Sequence, residues 1–268
     1  MEQEQKPKKK KTSPILIVIL IVAICVFIFA AYNLLQIGSR YKEAADSYKA
    51  VASVLDPNPA YEETAKGENS GVNKDDLVPF IWDFKKIHDM NPDAVGWIYE
   101  KDLLDYPIVQ TTDNDHYLHN TFDGTPNASG CLFVDYQMPK GLSGLYSIVY
   151  GHNMNDGSMF GCLQKFHQDT DFYKKHPTMH VFIGDKHYIY NVVAAYTADV
   201  NGYTYFDPLN EKDVTDFVDK ARADSIYEMY TGDITDDTNI IVLSTCTMTS
   251  DEEWRFVVIL SRDHEVKE

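Results

Sequence analysis

From Ile15 to Leu35 the chain runs for 21 residues without a charged side chain and with a single amide, Asn33. Wound as a helix, that run is about 31 Å long, the thickness of the hydrocarbon layer of a bilayer. Lys6 and Lys8 to Lys11 precede it against only Glu2 and Glu4, so residues 1–14 carry +3 and the remaining 254 carry −20 of the net −17. A cleaved secretory signal is the alternative, but its apolar core is usually only about 7–15 residues. The reading is therefore an uncleaved, single-pass anchor. The lysines hold the N-terminus in the cytoplasm, and everything beyond residue 35 lies outside the cell membrane.

The rest can bury a core. At 44% hydrophobic and 13% aromatic residues, disorder throughout is excluded. A pI near 4.8 leaves no basic stripe for phosphates, so nucleic acid is not an expected partner. Four cysteines in 268 residues do not make a disulfide scaffold.

Gln36–Leu55 reads as a helix, with Tyr41, Ala44, Ala45, Tyr48, Ala52 and Leu55 at helical spacing. Asp56 to Asp76, with Pro57, Pro59, Gly67 and Gly71 among acids, reads as a linker. Leu77–Met90 is predicted as a second helix stopped by Asn91-Pro92. Then come short strands at Val95–Tyr99, Tyr106–Gln110, Gly130–Asp135, Leu145–Tyr150, Met179–Ile183, Tyr188–Val200, Asn239–Cys246 and Arg255–Ser261. Eight strands with few long helices suggest a mostly β fold, a closed and largely antiparallel barrel. One helix, Asn210–Tyr227, is inserted before the cysteine strand, with Val214, Phe217, Val218 and Ala221 at i, i+3, i+4, i+7. The organisation expected is a basic tail (1–14), an anchor (15–35), a helix with acidic linker (36–76) and a catalytic domain (77–268).

Of the cysteines, Cys25 lies in the anchor, and Cys131 and Cys162 read as buried small hydrophobes that could pair only if they meet. Cys246 ends the strand Ile240 to Cys246, and Arg255 begins the next one. If these strands form a hairpin, thiol and guanidinium flank its loop about 5 Å apart between Cα atoms. A guanidinium there favours thiolate and can hold an oxyanion. The bland alternative is a half-buried cysteine near a surface arginine. The best-placed proton carrier is His152, following the apolar strand Leu145–Tyr150 and Gly151. His176 and His180 are four apart, but Pro177 spoils helical presentation, so no metal site is expected.

Leu243-Ser244-Thr245-Cys246, Arg255 nine residues later and the upstream Tyr150-Gly151-His152 resemble the sortases, cysteine transpeptidases of Gram-positive bacteria. Tyr106 to Gln110, Asp113 to Leu118 and Gly130 to Asp135 extend the resemblance over most of 77–262. The helices ahead of the barrel and the helix before the cysteine strand look like class B. The resemblance implies Cys246 as nucleophile, His152 as general acid and base, and Arg255 as the oxyanion-stabilising group. It implies Ser244, Thr245, Asn114, Leu118 and Tyr203 as substrate-binding residues, and no cofactor. It implies as partners surface proteins with a C-terminal sorting motif similar to Asn/Ser-Pro-x-Thr-Asn/Gly, and a peptidoglycan amine. A membrane-anchored cysteine hydrolase using water in place of the amine, or an inert module on the same barrel, are the rival readings.

Overall fold

The computed structural model describes residues 13–66, 73–205, 214–247 and 253–267. The chain divides into two units at Glu43/Ala44. The first is the apolar part of helix α1 (Pro14–Ala52), long and uncharged enough to cross a membrane, with its large apolar side chains exposed from Ile15 to Ile37. Anchor and following segment thus form one continuous helix rather than two. Within the second unit the last turns of α1 bury Ala44, Tyr48 and Val51.

The segment expected to be a linker is partly built. β1 (Asp56–Pro57) pairs with β2 (Phe80–Ile81), and α2 (Pro59–Ala65) lies between them. Asn58 caps α2 by accepting the Ala60 N–H at 3.1 Å, and Pro59 supplies a preset φ at the first helical position. The helix expected over Leu77–Met90 is confined to α3 (Phe84–Met90). Pro79 disfavours helix at Val78, and the Pro79 carbonyl accepts the Asn58 N–H at 3.0 Å. Asp83 then caps α3 through the Lys86 N–H at 3.1 Å.

The eight strands expected are all present: β3 (Ala94–Glu100), β4 (Leu104–Val109), β5 (Leu132–Val134), β6 (Tyr146–Tyr150), β7 (Thr178–Ile183), β8 (Lys186–Asp199), β9 (Ile240–Cys246) and β10 (Trp254–Glu265). Between β6 and β7 run the short helices α4 (Lys165–Gln168) and α5 (Thr170–Lys175). The strands close into a barrel in the order β10-β8-β7-β3-β4-β5-β6-β9, with β9 pairing back to β10. Two junctions are parallel, β4 with β5 and β6 with β9, and the others are antiparallel. Helix α6 (Val214–Asp224) buries the predicted face, Val214, Phe217, Val218 and Ala221, against Tyr146, Ile148, Tyr196, Val242, Val257 and Ile259. Each of the Val and Phe side chains contributes roughly 1.5–3 kcal/mol by leaving water. This cover explains why β9 reads as an unbroken apolar run: one face lines the barrel and the other lies under α6. The helix ends at Asp224 rather than Tyr227, because Ile226 N–H turns back to the Ala195 carbonyl at 2.9 Å. Asn210, the expected cap, lies outside the described residues, as do 206–213 generally.

Candidate active site

Cys246 and Arg255 are directly opposed in the β9–β10 register, at the last rung before a loop whose residues 248–252 lie outside the described set. Cys246 is exposed, whereas the strand leading to it is buried throughout. Cys131 and Cys162 are buried free thiols, not a disulfide, and burial pushes both up to about 12. They stay protonated and unreactive at neutral pH, leaving Cys246 as the accessible thiol of the second unit.

His152 reaches the same end of the barrel on the neighbouring strand. Tyr150 is in register with Ser244 across the parallel β6–β9 pair, and the Gly151 N–H donates to the Ser244 carbonyl at 3.1 Å. Gly151 is required by crowding: a Cβ there would stand 2.5 Å from Leu132 Cδ2 and 2.6 Å from Phe160 Cδ2. His152 Nε2 lies 2.8 Å from the Leu118 carbonyl, which can only accept, so Nε2 carries hydrogen and Nδ1 is left as the basic nitrogen.

That carbonyl is held in place by its own loop. The turn His116–Leu118 is pinned where Cys131 N–H donates to the Tyr117 carbonyl at 2.8 Å, beside Gly130 at φ +56°. Tyr48 of α1 donates its hydroxyl hydrogen to the Gly130 carbonyl.

The remaining expected residues divide. Ser244 and Thr245 adjoin Cys246 and are buried; Ser244 Oγ pairs with Tyr205 Oη at 2.7 Å, and Thr245 Oγ1 has no hydrogen-bond partner among the described residues. Leu118 is half-buried and offers its carbonyl rather than its side chain to His152. Asn114 Oδ1 accepts the Tyr136 N–H at 3.0 Å, bracing one loop against another. Tyr203 lies apart from this group. It stacks on Tyr196, meets Phe217 edge-on and donates to Asp224 at 2.9 Å, as part of the α6 packing.

Sequence reasoning missed Tyr205, two residues on. Burial pushes its hydroxyl up to about 12, while the Ser244 bond and the charge of Arg255 pull the other way. Burial and then Asp135 likewise raise Tyr150, opposed by Arg255. One guanidinium therefore acts on two tyrosines flanking the cysteine strand. Asn153 and Gln164 were also missed; both donate to the Cys246 carbonyl, at 3.0 and 3.1 Å. Among the described residues no cluster of His, Cys, Asp and Glu has the arrangement of a metal site.

The sequence pattern of the Sortase domain family matches residues 98–263. Sortase B of Listeria monocytogenes is 34% identical over 179 residues, 66% of this chain and 72% of that protein. Sortase B of Staphylococcus aureus is 28% identical over 181 residues, 67% of this chain and 73% of that protein. A crystal structure of sortase B from Bacillus anthracis superposes with a TM-score of 0.58 at 32% identity, over 67% of this chain and 83% of that one.

Proposed function

The chain belongs to the sortase family as a class B-like cysteine transpeptidase, and on that premise we propose that Cys246 is its nucleophile, His152 its proton carrier and Arg255 its oxyanion donor. Sortases in general act on surface proteins bearing a sorting signal and on cell-wall amines. The observation that carries the assignment is the shared barrel end: Cys246 and Arg255 face each other across β9–β10, and His152 follows β6 two residues beyond its last rung with β9.

In this reading Cys246 Sγ attacks the Thr carbonyl of a motif similar to Asn/Ser-Pro-x-Thr-Asn/Gly. Arg255 donates to the oxygen as negative charge develops, and His152 protonates the departing amine. The acyl group is then held as a thioester. A peptidoglycan amine attacks it, His152 takes the proton, and the thiol is released. One amide is exchanged for another by way of the thioester, so the overall reaction is close to isoenergetic and no nucleotide is consumed. Ser244, Thr245, Asn114 and Leu118 border the groove in this scheme, whereas the packing of Tyr203 under α6 favours Tyr205 in its stead.

The lysines ahead of Ile15 keep residues 1–14 in the cytoplasm, 15–35 span the membrane, 36–76 lead out of it, and 77–268 act at the wall. The test is incubation of the detergent-solubilised full chain with a library of sorting pentapeptides, with and without an added amine. Amide exchange after Thr, dependent on the amine, is the expected product. Cleavage at the same rate to the free acid in both arms would make the protein a hydrolase.

A further inference from the structure

Resting on that reading of Cys246, we propose that Asn153 and Gln164 are positioning residues that hold the nucleophile's peptide and tie it to the histidine loop. The parallel β6–β9 ladder runs from Tyr146 with Ile240 to Tyr150 with Ser244, and its next bond is Gly151 N–H to the Ser244 carbonyl. A parallel ladder advances two residues per bond on each strand. Continued one step, it would join Asn153 N–H to the Cys246 carbonyl.

The backbone does not make that bond, because the chain has already turned away. His152 carbonyl accepts the Phe160 N–H at 3.0 Å, and Asn153 forms an antiparallel bridge with Met159. The side chain of the same residue supplies the missing donor instead: Asn153 Nδ2 lies 3.0 Å from the Cys246 carbonyl and 3.3 Å from that of Thr247. Gln164, only 7% exposed in the turn Phe160–Gln164, brings Nε2 to the same Cys246 oxygen at 3.1 Å. Two side-chain amides from separate segments thus occupy both lone pairs of one carbonyl.

The consequence is mechanical. Cys246 is the end residue of β9, where strands ordinarily fray, and holding its carbonyl holds the backbone from which its side chain projects. Asn153 follows His152 directly, so a shift of the histidine loop and a shift of the cysteine peptide are coupled through one hydrogen bond. Reaction by proton transfer and attack depends steeply on that alignment, and a misplacement of about 1 Å can cost on the order of a hundredfold.

The variants are Asn153→Asp, which keeps the shape and replaces the amide donor by a carboxylate, and Gln164→Met, which keeps the volume and has no donor. The full-length protein is titrated with a thiol-directed vinyl sulfone, and kcat per titrated Cys246 is measured with a sorting peptide and an amine. Each variant is expected to lower kcat roughly tenfold or more, with KM within about twofold and the limbs of the pH–rate curve unmoved. Melting curves identify any variant that is unfolded, and the other then stands as the test. If kcat per titrated site stays within twofold of wild type, or if activity is lost only because the pH limbs move or fewer sites titrate, the positioning role is overturned. The underlying assignment is checked apart from this by Cys246→Ala: turnover surviving in that variant defeats the nucleophile itself, whatever Asn153 and Gln164 do.

Discussion

Gly130 stands so close to His152 that a methyl group on its Cα would lie 3.2 Å from imidazole Cδ2, and 2.6 and 2.8 Å from the backbone oxygens of Tyr117 and Leu118. Its φ of +56° also lies where side chains are disfavoured. Gly130→Ala therefore carries about 1–2 kcal/mol of backbone strain and pushes on the carbonyl that orients His152. Turnover should fall further than the loss of stability explains. Chemical denaturation and kcat, measured on the same preparation below the midpoint, separate the two; a variant destabilised but fully active when folded would show that the Leu118 contact does not matter.

Cys246→Ala should abolish transpeptidation at unchanged melting temperature, because its side chain is exposed. Cys131→Ala and Cys162→Ala should do the reverse, each costing about 1 kcal/mol at buried sites and leaving kcat alone. Thermal melts alongside a peptide-exchange assay check all three. Loss of activity in folded Cys131→Ala would contradict its assignment as inert packing.

Arg255→Lys should be nearly as damaging as Arg255→Ala. A planar guanidinium can reach a carbonyl oxygen and a substrate backbone together, whereas an ammonium keeps only the charge. Comparing kcat/KM for the two variants decides between geometry and charge. Recovery of most activity by lysine would mean that Arg255 works by its field alone.

At the other end of the barrel, His180 Nδ1 and His187 Nε2 are 2.9 Å apart, and His187 stacks on Phe182 at 4.2 Å. Burial lowers His180 to about 4 and His187 to about 3. The folded state thus prefers both neutral, while the unfolded chain binds protons near 6.5. Their contribution is present above pH 6.5 and is lost as pH falls towards 3–4, on the order of 1–2 kcal/mol per histidine between pH 7 and 5. Glu100, raised to about 8 by burial, has the opposite slope in that window, so wild type alone does not isolate the histidines. His187→Gln should flatten the difference between urea midpoints at pH 7 and pH 5. An unchanged difference would mean the pair does not titrate in folding.

Replacing Lys6 and Lys8 to Lys11 by Gln should weaken insertion with the N-terminus inside, without altering the purified enzyme's kcat. Protease added to wall-stripped intact cells should degrade the catalytic part of the wild type and leave an anchored stub. A protected catalytic part, or one free in the medium, would rule out this topology.

The strands were legible because their apolar runs are short and bounded by turns such as Asp123-Gly124 and Gly184-Asp185. The facing of Cys246 and Arg255 was legible for the same reason, since a hairpin dictates which residues meet. Leu77 to Trp82 was misread because Leu77, Phe80 and Ile81 continue the helical spacing of Phe84 and Ile87 in α3, a signal that Pro79 and pairing with Asp56–Pro57 override. Tyr203 and Tyr205 share one short motif, and nothing local says which is drawn under α6 and which meets Ser244. Asn153 was invisible because an amide that completes a ladder looks, in sequence, like any polar residue after a strand, and Gln164 because nothing local to its turn says which carbonyl it meets.

The parallel pairing of β6 and β9 has an architectural consequence. Two strands pointing the same way deliver their C-terminal residues side by side whatever the chain does in between, so the spacing of imidazole and thiol belongs to the sheet and not to the connection. β7 and β8 are fixed by their pairing with β3 and β10, but the outward face of α6, in the connection from β8 to β9, can change with the barrel end left as it is. New recognition surfaces can be grafted there without redesigning the chemistry.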